Sequence, residues 1–503
     1  MSASVFFRNV RLLELDSEQG MSSPTDLLVR DAQIAGIGPE AVPDDARIIE
    51  GNGDLLMPGL INAHFHSSVN HMKGRLPCLP LELFMLFESP ALEALRPTAR
   101  QAYLRTMLGC IEMLRAGTTA VMDDCFFVPE PTPEIIDAVA QAYADSGIRA
   151  TLALDEPELS ELEKLPFLEE LAPEAMRAGL ARRPRLKAED LLALYDHLIG
   201  RWHGAEEGRI GAAVSCSAPQ RVSREYFAAL NALSVEHDLP VFAHMLETRL
   251  QRVLGHEKFG GRSLVRYTHD LGLLSDRMQV IHAIWVDDDD LDLIADAGAK
   301  VAHNPISNLR LGSGVMPFRE MLDRGISVSL GVDEAIADDA INMWSVMKTA
   351  GMIHTLSGDD PDLWPTAREV LRTATVGGGE VMRRPGLGAL EIGAPADLIL
   401  VDLSSLAFLP LNDLVRQLVH VENGSSVRTT MVAGRVVAEN GRVTSVDEAA
   451  LLDEAREVFG GLALILRRAS EEVSDLLPVY RAMHDRAVAS DVGMTRKLGK
   501  GLA

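Results

Sequence analysis

From about residue 55 to about 335 the chain repeatedly couples a short apolar run to a longer stretch of helical periodicity, and this alternation leaves few folds open. Eight runs stand out: Leu55 to His64, Thr118 to Asp123, Ile148 to Asp155, Ile210 to Pro219, Leu239 to Met245, Met278 to Ala283, Lys300 to Pro305 and Ser327 to Asp333. Several intervening helices stop at a glycine just before the next run, as in Arg115-Ala116-Gly117, Asp145-Ser146-Gly147, Asp296-Ala297-Gly298 and Asp323-Arg324-Gly325. A helix C-cap favours glycine at that place. Eight strands with helical crossovers predict an α/β fold, a (β/α)8 TIM-like barrel. The competing doubly wound sheet lacks its glycine-rich dinucleotide turn here.

The flanks read differently. Residues 1–56 and 386–446 carry short or alternating apolar runs with glycine turns, each too small to fold comfortably alone, so both chain ends are expected to pair into one β-sandwich-like satellite domain. The barrel then occupies 57–385, with a helical insertion at about 156–208 that is too long for a plain connection. Residues 447–503 form a C-terminal helical extension, helical through Arg486, with its last dozen residues expected to be loose.

A formal charge of −25 with no basic tract argues against nucleic acid and anionic membranes as partners. No apolar stretch reaches membrane length, and no secretory leader is visible. Four cysteines, Cys78, Cys110, Cys125 and Cys216, show no C-x-x-C spacing, which disfavours a disulfide scaffold and points to the reduced cytoplasm.

Asn62-Ala63-His64-Phe65-His66 closes the first run. On a strand, residues i and i+2 share a face, so His64 and His66 can offer two imidazoles to one cation, although such a pair alone is weak evidence. The remaining candidates fall at the carboxyl ends of other runs: His244 ends the fifth, His282 the sixth and Asp333 the eighth, and barrel active sites are built on that rim. His64, His66, His244 and Asp333 would make a metal shell with a position left for water. Glu247, three residues past His244, can carry a proton from that activated water to a leaving group. His282 can polarise the substrate, and Asp333 can also accept a proton. Singly each residue is more often structural; jointly the coincidence with one rim is hard to produce by packing. The run Asp287-Asp288-Asp289-Asp290 reads as helix N-terminal charge and solvated surface.

Five passages carry a resemblance: Met57-Pro58-Gly59-Leu60-Ile61-Asn62-Ala63-His64-Phe65-His66, His244-Met245-Leu246-Glu247-Thr248, Ala302-His303-Asn304-Pro305-Ile306-Ser307-Asn308-Leu309, Leu330-Gly331-Val332-Asp333 and Gly393-Ala394-Pro395-Ala396-Asp397-Leu398-Ile399-Leu400. Over nearly its whole length the chain resembles the amidohydrolase superfamily, in its cytosine deaminase, S-adenosylhomocysteine deaminase and triazine hydrolase branch. The resemblance implies His64, His66, His244 and Asp333 as ligands, Glu247 and His282 as catalytic groups, and a homo-oligomer, dimer or higher. Two-metal members use a lysine at the end of strand four. Residues 211–220 contain none, so one divalent ion is expected, Zn2+ first, with Fe2+ or another divalent ion also compatible.

Gln220 stands where many deaminases of the branch carry histidine, and Leu83-Phe84 where they carry tryptophan. A substrate pocket is expected from Gln220, Asn70, Glu82, Phe84, Phe87, Trp285, Asn308 and Glu334, with Met72 nearby. Arg249 and Arg252 are read as meeting an acidic group or solvent. The expected activity is a mononuclear metal-dependent aminohydrolase acting on a small-molecule nitrogen heterocycle or related amidine-like compound. The rivals are an amide, carbamate or carbon-halogen hydrolase with the same activated water, and a non-catalytic barrel scaffold.

Overall fold

In the computed structural model, which describes residues 4–39 and 41–497, the repeat becomes eight parallel strand positions. These are β1 (Leu60–His66), β2 (Thr118–Cys125), β3 (Arg149–Leu154), β4 (Ile210–Ala212 with Val214–Ser215), β5 (Val241–Met245), β6 (Met278–His282), β7 (Lys300–His303) and β8 (Val328–Leu330 with Asp333–Glu334). They bond as two five-stranded parallel sheets. One runs Asp333–Glu334, β1, β2, β3, Ile210–Ala212; the other runs Val214–Ser215, β5, β6, β7, Val328–Leu330. The interrupted strands β4 and β8 therefore each give one piece to each sheet. Every residue of β2 is buried, as expected of a parallel strand covered on both faces.

The crossover helices begin and end where side-chain chemistry dictates. Thr98 and Gln101 form a capping box at the start of Ala99–Arg115, and Thr132 caps Pro133–Ser146. The four glycines expected at helix ends, Gly117, Gly147, Gly298 and Gly325, have φ of 83°, 84°, 64° and 71°, a region most residues enter only with strain. Asp287 caps Asp288–Asp296, but the acidic run is not all solvated. Asp290 is buried and pairs with Arg252 at 2.6 Å, because a buried carboxylate needs a cation beside it.

The first apolar run is two strands rather than one. Leu55–Pro58 belongs to the satellite sheet and Leu60–His66 to the parallel set. Gly59 lies between them, where a Cβ would fall 2.1 Å from the Thr119 side chain. The satellite is a nine-stranded sheet drawn from both chain ends, joined where Leu398–Val401 runs antiparallel to Leu55–Pro58. Strand Val5–Leu12 changes partner midway: Val5–Arg8 pairs with Arg47–Glu50, and Arg11–Leu12 with Leu55–Leu56. Asn9, at φ 55°, makes that bend and donates its N–H to Asp26. The sheet closes over Phe7, Val29, Leu56, Leu398 and Met431.

Within the insertion, helix Ala188–Trp202 packs on Pro133–Ser146 and on β4, as a crossover helix does. The Tyr195 hydroxyl bridges Leu154 and Ser215. The excursion proper is therefore shorter than expected, made of the short helices Glu161–Lys164, Leu168–Leu171 and Glu174–Leu180. Over it lies the C-terminal helix Leu477–Ala489, held by Tyr480 to Glu161 and Arg486 to Glu170. Of the stretch expected to be loose, 498–503 lies outside the described residues. Up to Lys497 the chain is docked: the Val315 N–H donates to the Arg496 carbonyl at 2.7 Å, and Arg496 donates to Val286 at 2.6 Å.

Candidate active site

The carboxyl ends of β1, β5, β6 and β8 bring four histidines and two carboxylates together. His64 and His66 each place Nε2 3.4 Å from Asp333 Oδ1. His244 Nε2 is 3.3 Å from His64 Nε2. His282 Nε2 stands 3.5 Å from Glu247 Oε2 and 3.8 Å from Asp333 Oδ2. All six residues are buried. The backbone is bent to achieve this: Ser217, Leu246, His282 and Asp333 have φ of 58°, 55°, 71° and 69°. Left-handed non-glycine residues are costly, and four at neighbouring strand ends indicate that side-chain placement outweighs local comfort.

The donor chemistry fits a cation. His66 Nδ1 lies 2.5 Å from the Asp124 carbonyl and His244 Nδ1 2.7 Å from the Ser217 carbonyl. A carbonyl only accepts, so both rings carry their proton on Nδ1 and present a bare Nε2 to the centre. Three triplets have ligand atoms all within 4.8 Å of one another: His64, His66 and Asp333; His64, His244 and His282; and His66, His244 and Asp155. Imidazole nitrogens with a carboxylate oxygen suit zinc or a neighbouring divalent ion.

Electrostatics sort the groups. Burial holds His64 near 4 and His244 well below the ordinary histidine value, so both are neutral ligand donors at pH 7. Burial lifts Glu247 well above the usual carboxylate range, with the charges of Asp333 and Glu82 adding to it. Burial also acts to raise Asp333, but its hydrogen bond with His64 and the His282 and His66 rings beside it hold it below that range. The two neighbouring carboxyls are thus pushed in opposite directions, Glu247 toward its acid form and Asp333 toward its ionised form.

The expected pocket residues divide. Asn308 Oδ1 holds His282 Nδ1 at 2.9 Å and so orients a ring rather than facing free space. Glu82 accepts the Thr248 hydroxyl at 2.6 Å, beside Glu247. Gln220 is buried in the turn after β4 with Oε1 unbonded. Glu334 meets Glu88, and burial followed by the Glu88 charge raises it well above its ordinary value. Asn70 spends its amide on the Arg105 carbonyl at 2.9 Å. Phe84 is fully buried among Val69, Leu311 and Ile336, with Phe87 half-buried against the same cluster and Met72 within it. Trp285 is also fully buried, its indole N–H given to the Ser313 carbonyl at 2.9 Å. Asn70, Phe84 and Trp285 are thus buried, with the Asn70 Oδ1 left without a hydrogen-bond partner. Arg252 is taken by Asp287 and Asp290, while Arg249 donates to the Ser490 carbonyl.

Sequence reasoning missed Asp155, whose Oδ2 is 3.9 Å from His66 Nδ1. Its place at the end of the third run was a usable signal, the one that singled out Asp333. It also missed Asp124 and Ser217, which act through backbone carbonyls and leave no trace in residue type.

Residues 55–437 match the amidohydrolase family. The chain is 36% identical over 437 residues to a 5-methylthioadenosine/S-adenosylhomocysteine deaminase of Nitratidesulfovibrio vulgaris, covering 86% of this chain and 91% of that one. It is 31% identical over 455 residues to a 5'-deoxyadenosine deaminase of Methanosarcina mazei, covering 90% and 97%. Among solved structures, an adenosine deaminase from Xanthomonas campestris with bound zinc superposes with a TM-score of 0.77 at 25% identity, covering 90% of this chain and 97% of that one.

Proposed function

The chain belongs to the amidohydrolase family, and we propose that it is a mononuclear metal-dependent aminohydrolase that releases ammonia from the 6-amino group of an adenosine derivative. The relatives named as deaminases of such compounds support the substrate class. The observation that carries the reaction is the pair His64 Nε2 and His244 Nε2, 3.3 Å apart, with the His244 proton committed to Ser217 on the other side of its ring.

In this reading the two parallel sheets close into one (β/α)8 barrel over about 57–385, supported by strands β4 and β8 contributing to both sheets. The two chain ends, 1–56 and 386–446, make the sandwich-like satellite, and 447–503 is the helical extension. His64, His66, His244 and Asp333 are the ligands of one ion, zinc first; a divalent ion held there lowers the pKa of water and acts as a Lewis acid. The protein's own groups do the rest. Asp333, held ionised, accepts a proton from the attacking water. Glu247, whose acid form burial favours, delivers a proton to the leaving amino nitrogen and regains one from Asp333, so that the proton taken from water ends on ammonia while the oxygen stays on carbon. His282, its Nδ1 fixed by Asn308, aims Nε2 at the same point and orients the reacting carbon's substituents. The uncrosslinked cysteines support a reduced cytoplasmic setting, and the family supports a homo-oligomer.

Glu247→Gln tests the assignment. Metal content by elemental analysis is expected to stay at one ion, and ammonia release from 5'-deoxyadenosine to fall by about 10²- to 10⁴-fold. Full activity in that variant, or release of chloride or amine from other heterocycles with no ammonia from any adenosine derivative, would overturn it.

A further inference from the structure

Glu247 stands two residues past the end of β5, so the strand does not by itself fix its carboxyl. Its N–H donates to Gln251 Oε1 at 2.9 Å, which holds the backbone and leaves the carboxyl to be placed by its neighbours. Three loops converge there: residues 246–249 after β5, 283–286 after β6, and 313–315 beyond the short helix Pro305–Arg310 that follows β7. The Leu246 carbonyl accepts the Ile284 and Trp285 N–H groups at 3.1 and 2.8 Å. Trp285 gives its indole N–H to the Ser313 carbonyl at 2.9 Å, and the Ser313 hydroxyl comes back to 3.5 Å from Glu247 Oε1. The position of the carboxyl therefore depends on how firmly the loops are held to one another, and loops at strand ends open more readily than the strands that carry them.

The segment after the last helix bonds to all three. The Ser490 carbonyl accepts from Arg249, two residues past Glu247. The Arg496 guanidinium donates to the Val286 carbonyl at 2.6 Å, beside Trp285, and the Arg496 carbonyl accepts the Val315 N–H at 2.7 Å, two residues past Ser313. Between these points Val492 is buried in the main core. The third loop is shaped to receive the tail. Gly314 has φ of 138°, which side chains rarely adopt, and a Cβ there would fall 2.8 Å from the Arg496 carbonyl oxygen and 3.2 Å from Arg496 Cβ. Arg496 forms no ion pair among the described residues, although Asp287, Asp288 and Glu320 are near enough for their charges to act on it. Its guanidinium is spent on the loop instead.

We propose that residues 490–496 are a clasp that positions Glu247 for proton delivery, and that Arg496 is its positioning residue, acting through Val286, Trp285 and Ser313 rather than on the substrate. The inference rests on the reading of Glu247 as the proton donor.

Hydrogen exchange followed by mass spectrometry on the full, metal-replete chain tests the clasp without turnover, and steady-state kinetics with 5'-deoxyadenosine tests its consequence. In Arg496→Met, exchange across 246–249, 283–286 and 313–315 is expected to quicken by at least about 10-fold, the worth of a hydrogen bond from a charged donor. The same variant should keep one metal ion and lose about 10- to 100-fold in kcat with KM within about 3-fold, because a displaced proton donor costs turnover rather than binding. Arg496→Lys, which keeps a charged donor for the Val286 carbonyl, should recover part of both effects. Arg486→Ala, which cuts the link to Glu170 elsewhere in the same extension, should produce neither. Unchanged exchange in the three loops overturns the proposal, as does quicker exchange with kcat intact. A loss of kcat that Arg486→Ala reproduces, or that comes with lost metal and a lowered melting temperature, overturns it too by making the tail merely structural. A wild-type protein inactive on every adenosine derivative removes the reaction reading, and the exchange rates alone then uphold or overturn the clasp.

Discussion

Arg149, at the start of β3, and Asp397, just before Leu398–Val401 of the satellite sheet, form a buried two-pronged ion pair, Nε to Oδ2 at 2.7 Å and Nη2 to Oδ1 at 2.9 Å. Asp397 Oδ1 also accepts the Ala433 N–H at 2.8 Å, so one carboxylate ties the parallel sheets to two segments of the satellite. Removing one partner leaves the other charged and buried. Asp397→Ala is expected to cost about 3–5 kcal/mol in urea denaturation, whereas Arg149→Met with Asp397→Leu should recover most of that loss. Equal losses in the single and double variants would show that the pair's charges do not matter.

Asn308 acts on His282. Its Oδ1 accepts from His282 Nδ1 at 2.9 Å, while Asn304 Nδ2 approaches the same nitrogen at 3.3 Å. Asn308→Ala should leave metal content unchanged and lower kcat by about 10- to 100-fold, as loss of a ring-orienting hydrogen bond does. Asn308→Asp, which keeps the acceptor, should retain more activity than the alanine variant. Elemental analysis with steady-state kinetics checks both.

Residues whose place follows from strand position were legible in the sequence, and those whose place follows from tertiary approach were not. His64, His66, His244, His282 and Asp333 terminate apolar runs, and the parallel topology turns that into a shared rim. The boundary read at 56/57 falls within three residues of Gly59, but the split of the apolar run into two strands was not visible, because such a run reads alike whether it feeds one sheet or two. Trp285 and Phe84 look like pocket residues by type, yet an aromatic in such a run faces core as readily as cavity.

His303 and His354 face each other through their Nε2 atoms at 3.0 Å in a buried contact. Burial holds His354 near 4, below its ordinary 6.5, and burial with the charge of His354 lowers His303 further. The folded protein thus keeps both neutral, while the unfolded chain takes up protons below about pH 6.5. Their contribution to stability is complete above that pH and is lost as pH falls toward 4, with a slope of up to about 1.4 kcal/mol per pH unit for each proton. His354→Gln should flatten the fall in unfolding free energy between pH 6.5 and 4.5. Parallel curves for variant and wild type would remove this pair from the acid sensitivity.

Gly331 is fixed by what surrounds it. A Cβ there would lie 2.4 Å from Asn304 Oδ1, 2.8 Å from His64 Cβ and 2.9 Å from the His64 backbone nitrogen. The last of these is part of β1 and cannot rotate away, so Gly331→Ala must displace the strand that presents His64 and His66. Overpacking of this kind costs about 1–3 kcal/mol, and here the shift lands on two ligands at once. The Asn304 contact carries it on to His282. The variant is expected to melt lower than wild type and to lose its metal to dialysis against a chelator concentration that wild type withstands. Gly358→Ala, where a Cβ meets nothing within 4 Å, should change stability by no more than about 0.5 kcal/mol and leave metal retention intact. If Gly331→Ala held its ion as firmly as Gly358→Ala, the end of β1 would have to be far more compliant than its packing indicates.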